Sequence, residues 1–136
     1  MRPPFRADHV GSLLRPHELH DLREQVRLGK ASAKQLRDAE DRLIRDVLKL
    51  QEDLGLQSIT DGEFRRDWWH IDFLNGFDGV ELGHSDIYGD AKFKGTHEQP
   101  PTMMVKGKLK RTKPSMLDHF KFLKSVTKRT PKFTGR

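Results

Sequence analysis

Apolar positions along the chain change period several times, and each change marks an element. A short apolar stretch around Phe5 to Val10 meets Gly11 and Ser12, which reads as a strand running into a loop. Pro16 then sits where a first helical turn tolerates proline. Leu19, Leu22 and Val26 recur three and four residues apart, and Gly29 supplies a C-terminal stop. Ser32 followed by Gln35 matches a capping box. Leu36, Ala39, Leu43, Val47, Leu50 and Leu54 keep one apolar stripe from there to Gly55. The opposite face alternates charge through Lys34, Asp38, Arg42 and Asp46, as a solvated helix surface does. Leu56 to Thr60 predicts a short buried strand that closes into Asp61, Gly62 and Glu63.

Downstream, Asp67 is placed to cap a short helix carrying Trp68, Trp69, Ile71, Phe73 and Leu74. Glycines 76, 79 and 83 break it into loop, and residues 84–101 read as irregular. The segment MMVKGKLKR alternates Val105 and Leu109 with Lys106, Lys108 and Lys110, the period-two pattern of a half-exposed strand. Its expected hairpin partner is Ala91 to Lys94. Thr112 or Ser115 starts a last helix with Met116, Phe120, Leu123 and Thr127 on one side, and a further strand is expected from Phe133. Strands alternating with helices argue for parallel βαβ units in an α/β fold. An eight-stranded barrel takes roughly 250 residues. The 136 residues here supply about three such strands, with a β-hairpin insertion.

Composition narrows the chemistry. There is no cysteine, so neither a thiol nucleophile nor a thiolate zinc site can be built from these residues. No apolar run has the length of a membrane span, and Asp8, His9 and Arg15 interrupt the start where a signal peptide needs an apolar core. A cytoplasmic location is expected. The net charge of +6 is unevenly divided: residues 1–90 hold 13 Lys and Arg against 18 Asp and Glu, whereas residues 91–136 hold 13 against 2. That basic end raises a second class of function, a small nucleic-acid-binding protein using the Lys/Arg segment 106–132. Against it, the basic strand lacks aromatic residues that would stack on bases.

Two loops follow predicted strands, His9-Val10-Gly11-Ser12 and Asp61-Gly62-Glu63. In a parallel barrel both lie on the C-terminal face, where active sites of this architecture are built. Backbone N–H groups around Gly11, with the Ser12 hydroxyl, can bind a carboxylate; Glu63 can accept from an ammonium group. An amino-acid ligand needs that pair. Each feature also has a plain structural use: Gly-Ser as a turn, Asp61 as a cap, His9 as a hydrogen-bonded structural residue.

FRADHVGSLLRP, GLQSITDGEFRRDWWHIDFLNGFDG, PPTMMVKGKLKR and HFKFLKSVTKRTPKFT, taken in that order, resemble the opening third of the cobalamin-independent methionine synthase family, especially its single-barrel members. The resemblance implies that residues 1–136 form an incomplete (β/α)8 TIM barrel, truncated before the zinc-ligand half. It implies a methyltransferase that moves a methyl group from 5-methyltetrahydrofolate polyglutamate to a zinc-bound homocysteine or similar thiol. It places Val10, Gly11, Ser12 and Glu63 on the amino-acid end of that substrate. The family's zinc ligands, a His, two Cys and a Glu, fall outside this stretch, so no metal or cofactor is expected on this chain alone and no catalysis without the rest. His9 and Asp61 depart from the full-length synthases. Three strands of an open barrel would also leave unpaired edges through which copies could self-associate.

Overall fold

The computed structural model describes residues 8–68, 71–83, 101–112 and 114–134. The predicted strand at 5–10 lies partly outside them, and residues 8–10 carry no regular structure. The remainder is mixed α/β, with elements in the order α1 (His17–Arg27), α2 (Ala33–Asp53), β1 (Ser58–Ile59), α3 (Ile71–Leu74), β2 (Asp78–Gly83), β3 (Thr102–Lys110), α4 (Leu117–Val126) and β4 (Thr130–Pro131). It divides into two compact units. One takes in the described residues through Arg65 together with those from Leu117 onward; the other is Arg66–Met116.

The first unit is organised by α2. Its capping box forms as the spacing predicts: the Ser32 hydroxyl accepts from the Gln35 N–H, and the Gln35 side chain accepts from the Ser32 N–H at 2.8 Å. Lys34 and Asp38 pair on the solvated face. The apolar stripe rotates away from the expected line towards its C-terminal end. Ala39, Leu43 and Val47 are buried, but Leu50 and Leu54 are 55% and 72% exposed, and Ile44, Leu48 and Gln51 occupy the inner face instead. A 3.6-residue period running through 40, 44, 47 and 51 places Gln51 inside, and its carboxamide is satisfied there by main-chain partners.

Leu19 of α1, Leu43, Ile44, Val47 and Leu48 of α2, Ile59, Phe64 and Leu123 of α4 make one core. Leu19, Ile44, Ile59 and Leu123 are fully enclosed, each contributing roughly 1.5–3 kcal/mol. Charge is buried beside them. The Arg65 guanidinium bonds Glu40 at 3.2 Å and Asp41, and lies 4.6 Å from the Phe122 ring centroid, while Arg23 reaches Glu40 from α1 at 3.3 Å. β1 pairs in parallel with β4, Ser58 opposite Thr130 and Ile59 opposite Pro131. The expected strand at Phe133 therefore lies earlier than its apolar residue suggested. Proline is tolerated because the next ladder bond comes from the Lys132 N–H, which donates to the Ile59 carbonyl at 2.8 Å.

In the second unit the strand predicted at MMVKGKLKR is β3, but its partner is β2. The expected partner, Ala91 to Lys94, lies outside the described residues. The glycines that read as breakers are part of β2: Gly79 takes φ +84°, and a Cβ there would stand 2.9 Å from the carbonyl oxygens of Gly107 and Lys108. Only glycine permits that approach, so it marks an irregularity in the hairpin and not its end. Of the helix expected from Asp67, the described part is α3, Ile71–Leu74. The Asp72 carboxylate accepts from the N–H groups of Asp67 and Trp68 at the start of this segment.

Candidate functional site

The chain leaving β1 turns sharply, and its side chains dictate how. Gln51 grips Thr60 through its main chain. The Thr60 hydroxyl accepts the Gly62 N–H at 3.2 Å, and the Asp61 carboxylate accepts the Glu63 N–H at 3.0 Å, two side-chain turns nested in series. They force Gly62 to φ +65° and Glu63 to φ +59°. Glycine accepts that conformation freely; at Gly62 a Cβ would also press on the Phe64 ring at 3.1 Å and on Leu13 at 3.3 Å. Glutamate does not accept it freely. A non-glycine residue held in the left-handed region, 6% exposed and bearing a carboxylate, carries local strain.

The first predicted loop lies directly against this turn. The Gly62 carbonyl accepts from the Leu13 N–H at 3.1 Å and from the Ser12 hydroxyl at 3.3 Å, and the Glu63 carbonyl accepts from Arg15 at 3.3 Å. Ser12 and Glu63, about fifty residues apart in sequence, are thus joined through one peptide's neighbourhood. Gly11 takes φ +95° with open space where a side chain would stand, Val10 is 72% exposed, and His9 Nε2 lies 3.0 Å from the Gly11 carbonyl. The Ser12 hydroxyl also stands 2.8 Å from the Leu13 carbonyl as donor.

A third segment reaches both loops. The Lys132 ammonium donates to the Asp8 carboxylate and, at 3.2 Å, to the His9 carbonyl; that hydrogen bond holds the Asp8 carboxyl below its usual range. The Thr134 hydroxyl donates to Glu63 Oε1 at 2.7 Å. Neither Lys132, Thr134 nor Gln51 stands out in the sequence as a site residue, although Lys132 and Thr134 share the period-two spacing of a strand exit. Of the two arginines that could tie Glu63 down as a loop acid, Arg65 is engaged with Glu40 and Asp41, and Arg66 is buried.

The donor set that the resemblance assigns to zinc does not fit these residues. The sequence holds no cysteine, and among the described residues no group of three or more His, Asp or Glu is placed to hold a metal ion. No helix among them is long and apolar enough to cross a membrane.

No family model matches the chain. It is 42% identical to the uncharacterized protein YxjH of Bacillus subtilis, over 98% of this chain and 35% of that one. It is 31% identical to a methionine synthase of Sulfolobus acidocaldarius, over 87% of this chain and 33% of the other. A crystal structure of a candidate vitamin-B12-independent methionine synthase from Listeria monocytogenes superposes with a TM-score of 0.69 at 37% identity, covering 93% of this chain and 34% of its own. The chain spans about a third of the length of these relatives. In sequence and in fold it is a relative of the cobalamin-independent methionine synthases, matched over nearly all of its own length.

Proposed function

We propose that residues 1–136 are part of a (β/α)8 barrel and carry the amino-acid half of a substrate site in a cytoplasmic methyltransferase. The reaction would move a methyl group from 5-methyltetrahydrofolate polyglutamate to homocysteine or a similar thiol, in methionine biosynthesis. Relatives named 5-methyltetrahydropteroyltriglutamate–homocysteine methyltransferase support this substrate class. In this reading the Glu63 carboxylate accepts the substrate ammonium, while N–H groups of Val10, Gly11 and Ser12, with the Ser12 hydroxyl, face the substrate carboxylate. Zinc belongs to residues that this stretch does not contain, so the chain's own contribution is binding and orientation, not activation of the thiol.

The observation that carries the reading is Glu63 itself: a buried carboxylate on left-handed backbone, bonded through its turn to the Gly11-Ser12 loop. Titrating the isotope-labelled chain with L-homocysteine and with its desamino analogue tests it by nuclear magnetic resonance. Homocysteine should shift amides at 10–13 and 61–64. Glu63→Gln should weaken homocysteine by roughly 1.5–3 kcal/mol, the scale of a hydrogen bond to a charged group, and leave the desamino compound unaffected. Equal homocysteine affinities in the two proteins would remove Glu63 from the site.

A second reading rests on β3, where Lys106, Lys108 and Lys110 are all exposed: phosphate contacts to nucleic acid. Affinity that falls steeply with salt would support it, and no binding to RNA or DNA at low salt would end it.

A further inference from the structure

The exit of β4 performs a task for which its two-residue ladder gives no reason. Beyond Pro131 the chain stays beside β1, since the Lys132 N–H donates to the Ile59 carbonyl. Side chains two apart on an extended segment point the same way. Lys132 and Thr134 are such a pair, and they reach the two loops that flank the candidate site: Lys132 the His9 carbonyl and Asp8, Thr134 the Glu63 carboxylate.

We propose that Thr134 is a positioning residue for Glu63, which makes the exit of β4 a third wall of the amino-acid site; the inference rests on the reading of Glu63 as the ammonium acceptor. The backbone turn aims Cα–Cβ of Glu63 by holding φ at +59°, and the Asp61 carboxylate fixes the N–H that sets the turn. That leaves the torsions of a long, rotamer-rich side chain to be set at its far end. A hydroxyl donating at 2.7 Å to a carboxylate oxygen is a charge-assisted bond, and it orients the carboxylate plane. A carboxylate has about four acceptor sites, and the hydroxyl takes one of them on Oε1. The residue type follows from the task, because valine has threonine's shape and no donor, while serine keeps the donor.

The test uses the 136-residue chain with carbon-13 on its glutamate carboxyls, as wild type, Thr134→Val and Thr134→Ser. Thr134→Val should move the Glu63 carboxyl resonance and weaken L-homocysteine about three- to tenfold, the span of one ordinary hydrogen bond, without changing the affinity of desamino-homocysteine. Thr134→Ser should restore both signals. A purely structural threonine would affect the two ligands equally. Homocysteine binding that survives Thr134→Val unchanged, or a Glu63 resonance that does not move, overturns the inference and leaves the amino-acid reading intact. A wild-type chain that binds no homocysteine overturns that reading, and with it the site role of Thr134.

Discussion

Gln51 brackets Thr60: its Oε1 accepts the Thr60 N–H at 3.1 Å, and its Nε2 donates to the Thr60 carbonyl at 2.9 Å, all of it buried. A residue that leaves β1 is thereby held by α2, nine positions upstream, and the turn carrying Glu63 begins from that grip. Gln51→Leu should cost about 2–4 kcal/mol, because two buried backbone groups lose their partners, each worth roughly 1–3 kcal/mol when left unsatisfied. Urea unfolding of the two proteins measures it.

Arg65 offers a second measurement of buried polarity. Its side chain is 2% exposed, between Glu40 and Asp41 and against the Phe122 ring. Arg65→Met should destabilise by about 3–5 kcal/mol, the range for stranding one side of a buried ion pair. Adding Glu40→Leu should recover part of that loss, since the more deeply buried of the two carboxylates that Arg65 served is then gone, while Asp41 still lacks its Arg65 contact and Arg23 its Glu40 contact. A double variant no more stable than the single one would count against burial as the cause.

His119 of α4 makes stability depend on pH. Burial pushes its pKa below the ordinary 6.5, with Asp118 and Asp61 opposing and Arg65 and Arg37 adding to the effect. The unfolded chain therefore takes up a proton first as pH falls, so stability should decline from just below pH 6.5 down to the folded-state value and rise again on return. Urea midpoints between pH 7.5 and about 5 should show this slope, and His119→Gln should flatten it.

The capping box of α2 and the strand MMVKGKLKR were legible because their signals are local: a Ser-x-x-Gln spacing and a period of two. The inward turn of Gln51 and Glu40 was not. A polar residue reads as solvated unless its partner is known, and the partners, Thr60 and Arg65, lie on other elements. The same reason hid Thr134, whose contact with Glu63 joins positions seventy-one residues apart. The two loops expected to be neighbours do meet, through the Gly62 carbonyl, although residues 8–10, before the first of them, carry no regular structure. β2 was misread because glycine marks both a break and a close approach, and only the opposing backbone tells which.

Gly79 gives that distinction a measurable form. With φ at +84° and two carbonyl oxygens 2.9 Å from where a Cβ would stand, Gly79→Ala should cost at least about 1 kcal/mol locally. Amide exchange at Val80 and Val105, which face each other across the hairpin, should quicken while exchange along α2 stays as it was.

The parallel pair β1 and β4 is bridged by all the chain between Ile59 and Thr130, within which Arg66–Met116 forms a unit of its own. A parallel crossover needs only a dozen or more residues, a length that α4 and its flanking turns already approach. The hairpin unit is therefore a detour between two stations of one ladder. Because closure entropy grows with the logarithm of loop length, at roughly 0.6 kcal/mol per doubling, the detour can lengthen, shrink or exchange its contents at little thermodynamic penalty to the ladder. A change of length between Arg66 and Met116 should accordingly leave the pairing of Ser58 with Thr130 and of Ile59 with Pro131 in place.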